Sequence, residues 1–381
     1  MKVIINQKQF LELMQSAMLF VPQSTTLQII KNFKLKFYNN LLTVEATDLN
    51  QSIKLQSQID YDGEKFEICV NAKRIIDIVK QLNNDIELIV DENNVLTINS
   101  ANFTCNILGY DSRDFPCAPE VVNAQTVEIM SSVFVELIQK SSFCASNDIS
   151  RESLCSVYFK LTKDSVVMVS TDGHRLASSV CKDNFNVCSE IECLFQTKFL
   201  QQIVKLLTSE NFASFIKFQI NEKYFSIEHK NFIIFTKLIN KKYVNYKAAL
   251  PEKNNKIAII DKKQLIDGVR RVSILSNEKT HLISMNFVDN LLKLNVFNHD
   301  IGGQAEQFLK INYSNDNFTV YVNSIFFNEL INSINSEKVC LKMGTNVAGI
   351  LISPEYNEGH ITTTEDLYLI MPLRNPREEI K

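Results

Sequence analysis

The segment VIINQKQFLELM, residues 3–14, returns as VEIMSSVFVELI at residues 127–138, with most of its apolar residues and its Glu at the same positions. A third copy, IAIIDKKQLIDGV, covers residues 257–269. In each copy a β-branched run, typical of a strand, leads into the apolar period of a helix. The residues at the change are ones that cap helices: Asn6, Ser131 or Ser132, and Asp261. This recurrence predicts a chain of three repeated domains.

A second pattern of strand and helix lies between these copies. It occurs as FEICVNAKRIIDIVKQL (66–82), IECLFQTKFLQQIVKLL (191–207) and FTVYVNSIFFNELINSI (318–334). A strand ends at a polar residue in each: Asn71, Gln196 and Asn323. Apolar residues then follow at i, i+3, i+4 and i+7, which places one face of a helix on a core. Six helices are therefore expected, over residues 7–20, 72–83, 131–143, 197–208, 262–275 and 324–335.

Short alternating strands broken by polar turns fill the segments between the helices, as in VYFKLTKDSVVMVSTD, residues 157–172. The predicted fold class is α+β, with three repeated domains that each pack two helices on antiparallel sheet. Polar segments near residues 124 and 254 mark the boundaries. The predicted domains are N-terminal (1–124), central (125–254) and C-terminal (255–381).

Composition favours a soluble protein without a cofactor. Of the 381 residues 45% are apolar and 22% charged, and no run of about 18 apolar residues could span a membrane. The start, MKVIINQKQF, lacks the apolar stretch of a signal peptide, so we expect a cytoplasmic protein. The nine cysteines include no CxxC pair, and the five histidines have no metal-ligand spacing. Neither GxGxxG nor a GxxxxGK phosphate loop occurs, so we predict no metal and no cofactor.

Charge is distributed unevenly over the predicted elements. The chain has a net charge of −3, whereas the six predicted helices hold eleven Lys or Arg against five acidic residues. A basic helical layer on an acidic protein can attract a polyanion locally. The alternative is that Lys and Arg serve only as good helix formers on solvated faces. The threefold repetition of the arrangement favours the polyanion hypothesis.

The segment with the most reactive side chains is STDGHRLA, residues 170–177. Interpreted as an active site, it offers His174 as a general base, Asp172 to orient it and Arg175 to hold an anion. However, Asp-Gly between two apolar strands is also a hairpin signal. The other repeats have ATDLNQSI (46–53) and FNHDIGGQA (297–305) at the corresponding places, without the His-Arg pair. We therefore favour a turn with a surface role, and predict no catalytic residue.

Four segments, in order along the chain, resemble the bacterial DNA polymerase III beta subunit, the β sliding clamp. They are STDGHRLA, FTKLINKKYVNYKAALP (235–251), ILSNEK (274–279) and YLIMPLR (368–374). The resemblance covers the whole chain and implies the DNA clamp fold, in which two chains close head to tail into a ring around duplex DNA. Helices then line the hole. It also implies a non-catalytic processivity subunit of a DNA-directed DNA polymerase, a nucleotidyltransferase, in the cytoplasm with the nucleoid.

The resemblance implies three sets of site residues, and the homodimer as the assembly. Short peptides from the polymerase α subunit, the clamp loader, repair polymerases and ligase are expected at Leu154, Thr171, Gly173, His174, Arg175, Leu176, Val347, Met371, Pro372, Leu373 and Arg374. Within that set, Arg175 is expected to donate to peptide carbonyls. Sequence-independent contacts to double-stranded DNA are expected from Lys73, Arg74, Lys80, Arg151, Lys198 and Lys205. Contacts between subunits are expected from Phe103, Cys105, Ile274 and Leu275.

This chain departs from the family pattern in three places. Lys241 and Val244 stand in NKKYVNY where the family has Gly and Pro, and Ser24 stands where relatives carry an Arg that touches DNA. The last residues, NPREEIK, extend past the usual end, as a solvated tail or a partial cover for the peptide site. Two other classes stay open: an enzyme that uses the residues of STDGHRLA, and a peptide-binding scaffold that never meets DNA.

Overall fold

The computed structural model describes residues 1–119, 121–208, 214–360 and 362–374. The terminal NPREEIK, with its predicted part as a tail or a cover, lies outside the described residues. Within those ranges, no helix is both long and apolar enough to cross a membrane.

One succession of elements occurs three times along the described chain. The first consists of β1 (Lys2–Ile5), α1 (Gln7–Met18), β2 (Asn32–Tyr38), β3 (Leu41–Thr47), β4 (Gln51–Gln58), β5 (Phe66–Asn71), α2 (Ala72–Val79), β6 (Ile86–Val90), β7 (Val95–Ser100) and β8 (Phe103–Leu108). The second consists of β9 (Gln125–Met130), α3 (Ser131–Ser141), β10 (Ser156–Leu161), β11 (Ser165–Thr171), β12 (Arg175–Lys182), β13 (Ile191–Gln196), α4 (Thr197–Thr208), β14 (Phe215–Ile220), β15 (Tyr224–His229) and β16 (Phe232–Lys237). The third consists of β17 (Lys256–Asp261), α5 (Lys262–Ser273), β18 (Leu282–Val288), β19 (Leu291–Asn298), β20 (Gly303–Lys310), β21 (Phe318–Asn323), α6 (Ser324–Asn332), β22 (Lys338–Met343), β23 (Ile350–Glu355) and β24 (Glu365–Ile370). The predicted α+β class with three repeated domains is confirmed, while the boundaries at 124 and 254 stay predictions.

The six helices begin at the predicted residues, and most end early. Predicted caps accept the N–H groups of the first turn at 2.8–3.2 Å at Asn6, Asn71, Asp261 and Asn323. The serine cap predicted for α3 is wrong, because Ser131 is already its first helical residue. Apart from α4, the helices stop two to four residues before the predicted ends. After α2, for example, Gln81 N–H bonds to the Ile78 carbonyl at 3.0 Å, so the last turn tightens into a 3₁₀ pattern.

The first of two compact units comprises Met1–Ser131 and Lys205–Leu238. Its larger sheet has eight antiparallel strands in the order β5-β2-β3-β4-β16-β15-β14-β9. At its centre β4 of the first repeat pairs with β16 of the second, with Ile53 opposite Ile234. A four-stranded sheet in the order β1-β6-β7-β8 completes the unit, and α1 packs on α2, β3 and β4.

The second unit, Ser132–Val204 and Ile239–Lys381, repeats this plan. Its larger sheet runs β13-β10-β11-β12-β24-β23-β22-β17, and β12 meets β24 with Ala177 opposite Tyr368. The smaller sheet is β20-β19-β18-β21, and α5 packs on α6, β19 and β20. Each larger sheet therefore joins strands of two repeats. The sequence suggested instead that every sheet stays within one repeat. An unpaired strand edge leaves a row of N–H and C=O groups without partners, and pairing across repeats removes it.

Two edges lack the partner that their equivalents have. Strand β8 is the counterpart of β16 and β24, and β20 is the counterpart of β4 and β12, yet both end four-stranded sheets within the described chain. Both edges carry exposed apolar residues, among them Phe103 and Leu108 on β8 and Phe308 on β20. Next to β20, Ile274 is 78% exposed, and Leu275 lies against Gly303. These are the edges of the predicted subunit contact.

A buried charge cluster fixes α3 to β24 in the second unit. Lys140 Nζ lies 2.6 Å from a carboxylate oxygen of Glu136 and 2.7 Å from one of Asp366, and donates to the Thr364 hydroxyl at 3.0 Å. Ser179 donates to the other Asp366 oxygen at 2.7 Å. Lys140 is one of the eleven basic residues of the predicted helices, but its prediction as part of a basic layer is wrong because its side chain is only 6% exposed.

We predict that Lys140→Met lowers the stability of the fold by about 3–5 kcal/mol, because it leaves the buried Asp366 carboxylate without its counter-ion. The matched control is Lys182→Met, which removes an ion pair with Glu365 in which both side chains are more than half exposed. That change should cost less than about 1 kcal/mol. Calorimetric unfolding of the two variants decides the matter, and equal melting temperatures would contradict the prediction.

Candidate functional site

The hairpin between β11 and β12 contains a self-supporting turn, residues 171–176, called here the second turn. Asp172 Oδ1 accepts the backbone N–H groups of His174 at 2.9 Å and Arg175 at 3.0 Å. The Thr171 hydroxyl accepts from Gly173 N–H at 3.1 Å and donates to the Arg175 carbonyl at 2.6 Å. Gly173 has φ 92°, a left-handed conformation that favours glycine. The backbone of STDGHRLA is therefore fixed by its own side chains.

This geometry does not support the active-site hypothesis. The Asp172 carboxylate is used by the turn backbone and by Arg175 Nε, at 3.0 Å. Among the described residues, no hydrogen bond joins it to the imidazole of His174, which is exposed and stacks on Phe326 at 6.3 Å. A general base oriented by a carboxylate needs that bond.

The guanidinium of Arg175 is buried beneath the turn. Its side chain is 9% exposed, and Nε, Nη1 and Nη2 donate to Asp172, to Glu329 and, at 3.4 Å, to the carbonyl of Phe143. The Phe326 ring centroid lies 4.4 Å from the guanidinium carbon. Burial opposes the charge, but the hydrogen bond to Glu329 and the neighbouring carboxylate outweigh it and raise the pKa of Arg175. Three of its five N–H groups thus donate within the protein, and the expected donation to peptide carbonyls stays a prediction.

An apolar cluster lies beside the second turn on the large sheet. Val169, Leu176 and Leu369 are buried, and Leu176 faces Leu369 across the β12–β24 pairing. Partly buried residues that pack against these three are Tyr158, Val167, Tyr246 and Leu351. The partly buried residues around the cluster provide the apolar surface at this edge of the turn.

The C-terminal segment continues this surface. Met371 N–H donates to the His174 carbonyl at 2.8 Å, which ties the segment to the second turn. A Cβ at Gly349 would lie 2.5 Å from Leu369 Cδ1, so glycine is needed for the close approach. Farther on, Leu373 N–H bonds to the Tyr321 carbonyl at 2.8 Å, next to the smaller sheet.

The predicted peptide residues thus fall into two groups. The structure brings together the second turn, Leu176 and Met371. The residues that pack on the apolar cluster do not include the remaining predicted ones, which are Leu154, Val347, Pro372, Leu373 and Arg374. Val347 and Met371 are exposed, Arg374 is exposed, and Leu154, Pro372 and Leu373 are half-buried.

Sequence reasoning missed three tyrosines. Tyr158 stacks on Tyr243 at 5.5 Å between ring centroids and lies 5.7 Å from Tyr246. Burial raises the pKa of Tyr243 and of Tyr246, so both stay neutral. Lys241, which departs from the family pattern, lies in the same segment as Tyr243 and Tyr246, NKKYVNY, and forms an ion pair with Glu152. The two tyrosines of NKKYVNY, three residues apart, were the available signal.

The first repeat contains the same turn at residues 47–52, called here the first turn. Asp48 Oδ1 accepts from Asn50 N–H at 3.0 Å and Gln51 N–H at 2.8 Å, and the Thr47 hydroxyl donates to the Gln51 carbonyl at 2.8 Å. Lys237 N–H donates to the Asn50 carbonyl at 2.8 Å, as Met371 does at the second turn. The backbone scaffold is therefore shared by both turns.

The side chains on that scaffold differ. Strand pairing places Lys34, Glu45 and Ser52 at the first turn where Tyr158, Val169 and Leu176 stand at the second. Three polar positions thus replace three apolar ones. At these three positions the second turn is therefore apolar where the first turn is polar.

The six residues predicted to contact DNA are all exposed: Lys73, Arg74, Lys80, Arg151, Lys198 and Lys205. Five of them lie on or directly after α2 and α4. Arg151 lies instead in a 3₁₀ turn, with its Nε 3.6 Å from Asp148.

Comparison with known families gives one result along the whole chain. Models of the N-terminal, central and C-terminal domains of the DNA polymerase III beta subunit match residues 1–119, 128–245 and 247–374. The beta sliding clamp of Chlamydia pneumoniae is 24% identical over 98% of this chain and 99% of its own length. That of Pseudomonas putida is 25% identical, over 98% of this chain and 100% of its own.

Solved structures agree in fold. A sliding clamp from Pseudomonas aeruginosa bound to griselimycin superposes with a TM-score of 0.92 at 23% identity, over 98% of this chain and 100% of the other. A clamp from Bartonella birtlesii, also bound to griselimycin, gives 0.90 at 24% identity, with the same coverage. The resemblance inferred from four sequence segments is confirmed.

Proposed function

The chain belongs to the DNA polymerase III beta subunit family, and from that premise we propose that it is a sliding clamp which encircles duplex DNA as a homodimeric ring. It holds the polymerase α subunit on its template and, through the same peptide site, takes the clamp loader, repair polymerases and ligase. It acts in the cytoplasm, on the nucleoid, without catalysing a reaction itself. The observation that carries the proposal is that β8 and β20, within the described residues, lack the partner strand that their equivalents in the other repeats have.

The internal repeats supply a register for the contact between subunits. Gln304 follows the first paired residue of β20, as Ile53 does in β4 and Ala177 does in β12. Cys105 is the third residue of β8, as Ile234 is of β16. Since Ile53 lies opposite Ile234, Gln304 of one subunit should lie opposite Cys105 of the other. The same joint then occurs at every boundary between repeats, and a closed ring leaves neither edge free.

Encirclement determines what the DNA contacts must do. A closed ring retains DNA by topology, so weak contacts to phosphates are sufficient and allow sliding. The exposed cations on α2 and α4 suit that task, because they attract phosphates without selecting a sequence. Mechanically, the chain is a tether: the ring stays on DNA, and the peptide site keeps an enzyme on the ring.

The apolar surface at the second turn supports peptide binding. The second turn and the first turn share one backbone scaffold and differ in their side chains. The scaffold alone therefore does not explain the apolar surface. A buried leucine or aromatic side chain of a peptide contributes about 1.5–3 kcal/mol. Two such side chains give a modest affinity, which lets partners exchange.

We predict that Gln304→Cys forms a disulfide with Cys105 of the other subunit, because opposed strand residues lie at about the Cα spacing that a disulfide needs. The background carries Cys117→Ser and Cys188→Ser, since both thiols are exposed. The expected result is a covalent dimer on a non-reducing gel. Glu306→Cys, two residues along the same edge, is the control for random collision and should cross-link far less. A monomer in light scattering at micromolar concentration would contradict the proposed ring.

We predict that reversing five helix charges weakens loading onto DNA and leaves the dimer intact. The variant carries Glu at Lys73, Arg74, Lys80, Lys198 and Lys205. Each lost phosphate contact should also flatten the dependence of binding on salt. The measurement is retention on a nicked circular duplex after loading, with dimer mass followed by light scattering. The control has the same number of exposed lysines reversed elsewhere, at Lys54, Lys223, Lys253, Lys279 and Lys338.

If both charge-reversed variants load equally well, the basic helices have no part in the function. Retention of the wild type on a linear fragment as well as on the circle would also count against encirclement. A wild type that binds peptides but is never retained on the circle would favour the scaffold hypothesis.

We predict that His174→Ala with Met371→Ala abolishes binding of a peptide from a DNA polymerase III α subunit, because both exposed side chains lie where the second turn meets the C-terminal segment. The melting temperature should change little, since neither side chain is buried. The matched control is Asn50→Ala with Lys237→Ala, the equivalent pair at the first turn. Fluorescence anisotropy gives the affinity. Unchanged binding, or an equal loss in the control, would make the site assignment wrong.

A further inference from the structure

A groove in the first unit lies at the place where the second unit has its buried lysine. The groove has a volume of about 640 Å³ and lies between α1, the end of α4 and the joint of β4 with β16. Buried apolar residues form its floor: Leu13, Leu55, Leu206 and Phe232. Exposed polar residues form its rim: Glu12, Gln15, Lys205 and Asn231. A groove of this size can hold a long side chain with a polar end.

The sequence repeat shows which residues of α1 and α3 are equivalent. Glu12 corresponds to Glu136, and Ser16, four residues later, corresponds to Lys140. In the second unit the Lys140 side chain reaches back to Glu136, with Nζ 2.6 Å from a carboxylate oxygen. The first unit keeps the glutamate and has a serine in place of the lysine. Within the described ranges, Glu12 forms no ion pair.

The sheet next to the helix differs in the same direction. Counted from the central pairing of each larger sheet, Leu55 of β4 stands where β12 has Ser179, and Phe232 of β16 stands where β24 has Asp366. Ser179 and Asp366 belong to the buried charge cluster and are hydrogen bonded to each other at 2.7 Å. Their counterparts in the first unit are apolar and buried. The groove therefore combines one carboxylate with an apolar floor, which suits an alkyl chain that ends in an ammonium group.

The third repeat also has a cation at this position of its first helix. Arg271 lies four residues after Asp267, as Lys140 lies four residues after Glu136. The Arg271 guanidinium donates to Gln307 of β20 at 3.2 Å. In two repeats, then, a cation from the first helix reaches a neighbouring strand. The first repeat supplies no cation from the equivalent position.

We propose that the groove binds a lysine side chain of another protein chain, with its ammonium group on Glu12 and its methylene groups over Leu55 and Phe232. The occupant carries one positive charge and is not a polyamine, because Lys205 lines the same groove and repels a second cation. The chemistry is that of Lys140 in the second unit, supplied from outside the chain. This inference depends neither on the ring nor on the peptide site at the second turn.

The test uses the full chain with carbon-13 in its leucine methyl groups, so that Leu13 and Leu55 report on the groove by NMR. The probe is Nα-acetyl-lysine amide, and we expect saturable shifts of both residues. Glu12→Gln should weaken binding about fivefold, the scale of one exposed ion pair. Glu222→Gln, an exposed carboxylate between β14 and β15, is the matched control and should bind as the wild type does. Nα-acetyl-norleucine amide keeps the carbon chain without the ammonium group and should cause no saturable shift.

A second variant fills the groove from within the chain. Ser16→Lys places a lysine four residues after Glu12, which is the arrangement that α3 has. The new ammonium group should occupy Glu12, so the probe should no longer shift Leu13 and Leu55. Glu12 is exposed and Ser16 half-buried at the groove, so both variants should fold, and the melting temperature checks this.

Three results would overturn the inference. The first is that the lysine amide causes no saturable shift in the wild type. The second is that Glu12→Gln binds the probe as tightly as the wild type does. The third is that spermidine shifts Leu13 and Leu55 whereas the lysine amide does not, which would assign the groove to free polyamines. None of these results bears on the sliding clamp function, which retention on circular DNA tests separately.

Discussion

The pairing of strand edges is the constraint on which the rest of this structure depends. Each repeat supplies two four-stranded sheets, and a twisted sheet of that size has an edge that would otherwise attract any other strand. The edge of β4 is satisfied by β16, and that of β12 by β24. Among the described residues, β8 and β20 are the counterparts of these strands that lack such a partner. A chain with any number of such repeats keeps one unpaired edge of the β8 type and one of the β20 type. Pairing both edges requires either a second chain or a chain whose two edges meet each other.

Repetition of the scaffold makes its side-chain differences informative. The turns at 47–52 and 171–176 have the same hydrogen bonds, formed by an Asp and a Thr. Backbone geometry is therefore constant while exposure and chemistry vary. At the position of Lys140 in α3, α1 has Ser16 and α5 has Arg271. Only the middle copy buries an ion cluster there, so function and stability are assigned within repeats by individual residues.

Much of the fold could be predicted from sequence, because periodicity and caps are local properties. All six helices begin at the residues that apolar spacing indicated, and predicted capping residues mark the start of four of them, as at Asn71 and Asp261. Sheet continuity across repeats could not be predicted, since it depends on pairing between strands far apart in sequence, such as β12 and β24. The burial of Lys140 and Arg175 was missed for the same reason. Their carboxylate partners, Asp366 and Glu329, lie 226 and 154 residues away.

Both buried cations stand where β12 and β24 meet, in the second unit. An apolar replacement could fill each site with equal or greater stability, because desolvation cancels much of the attraction between buried charges. An ion pair differs from an apolar contact in being directional: Arg175 must face Asp172 and Glu329 together, and Lys140 must face Glu136 and Asp366. For the proposed peptide site a fixed position matters more than extra stability. The two ion clusters are directional in this way, because they tie α3 to β24 and the second turn to α6 in one geometry.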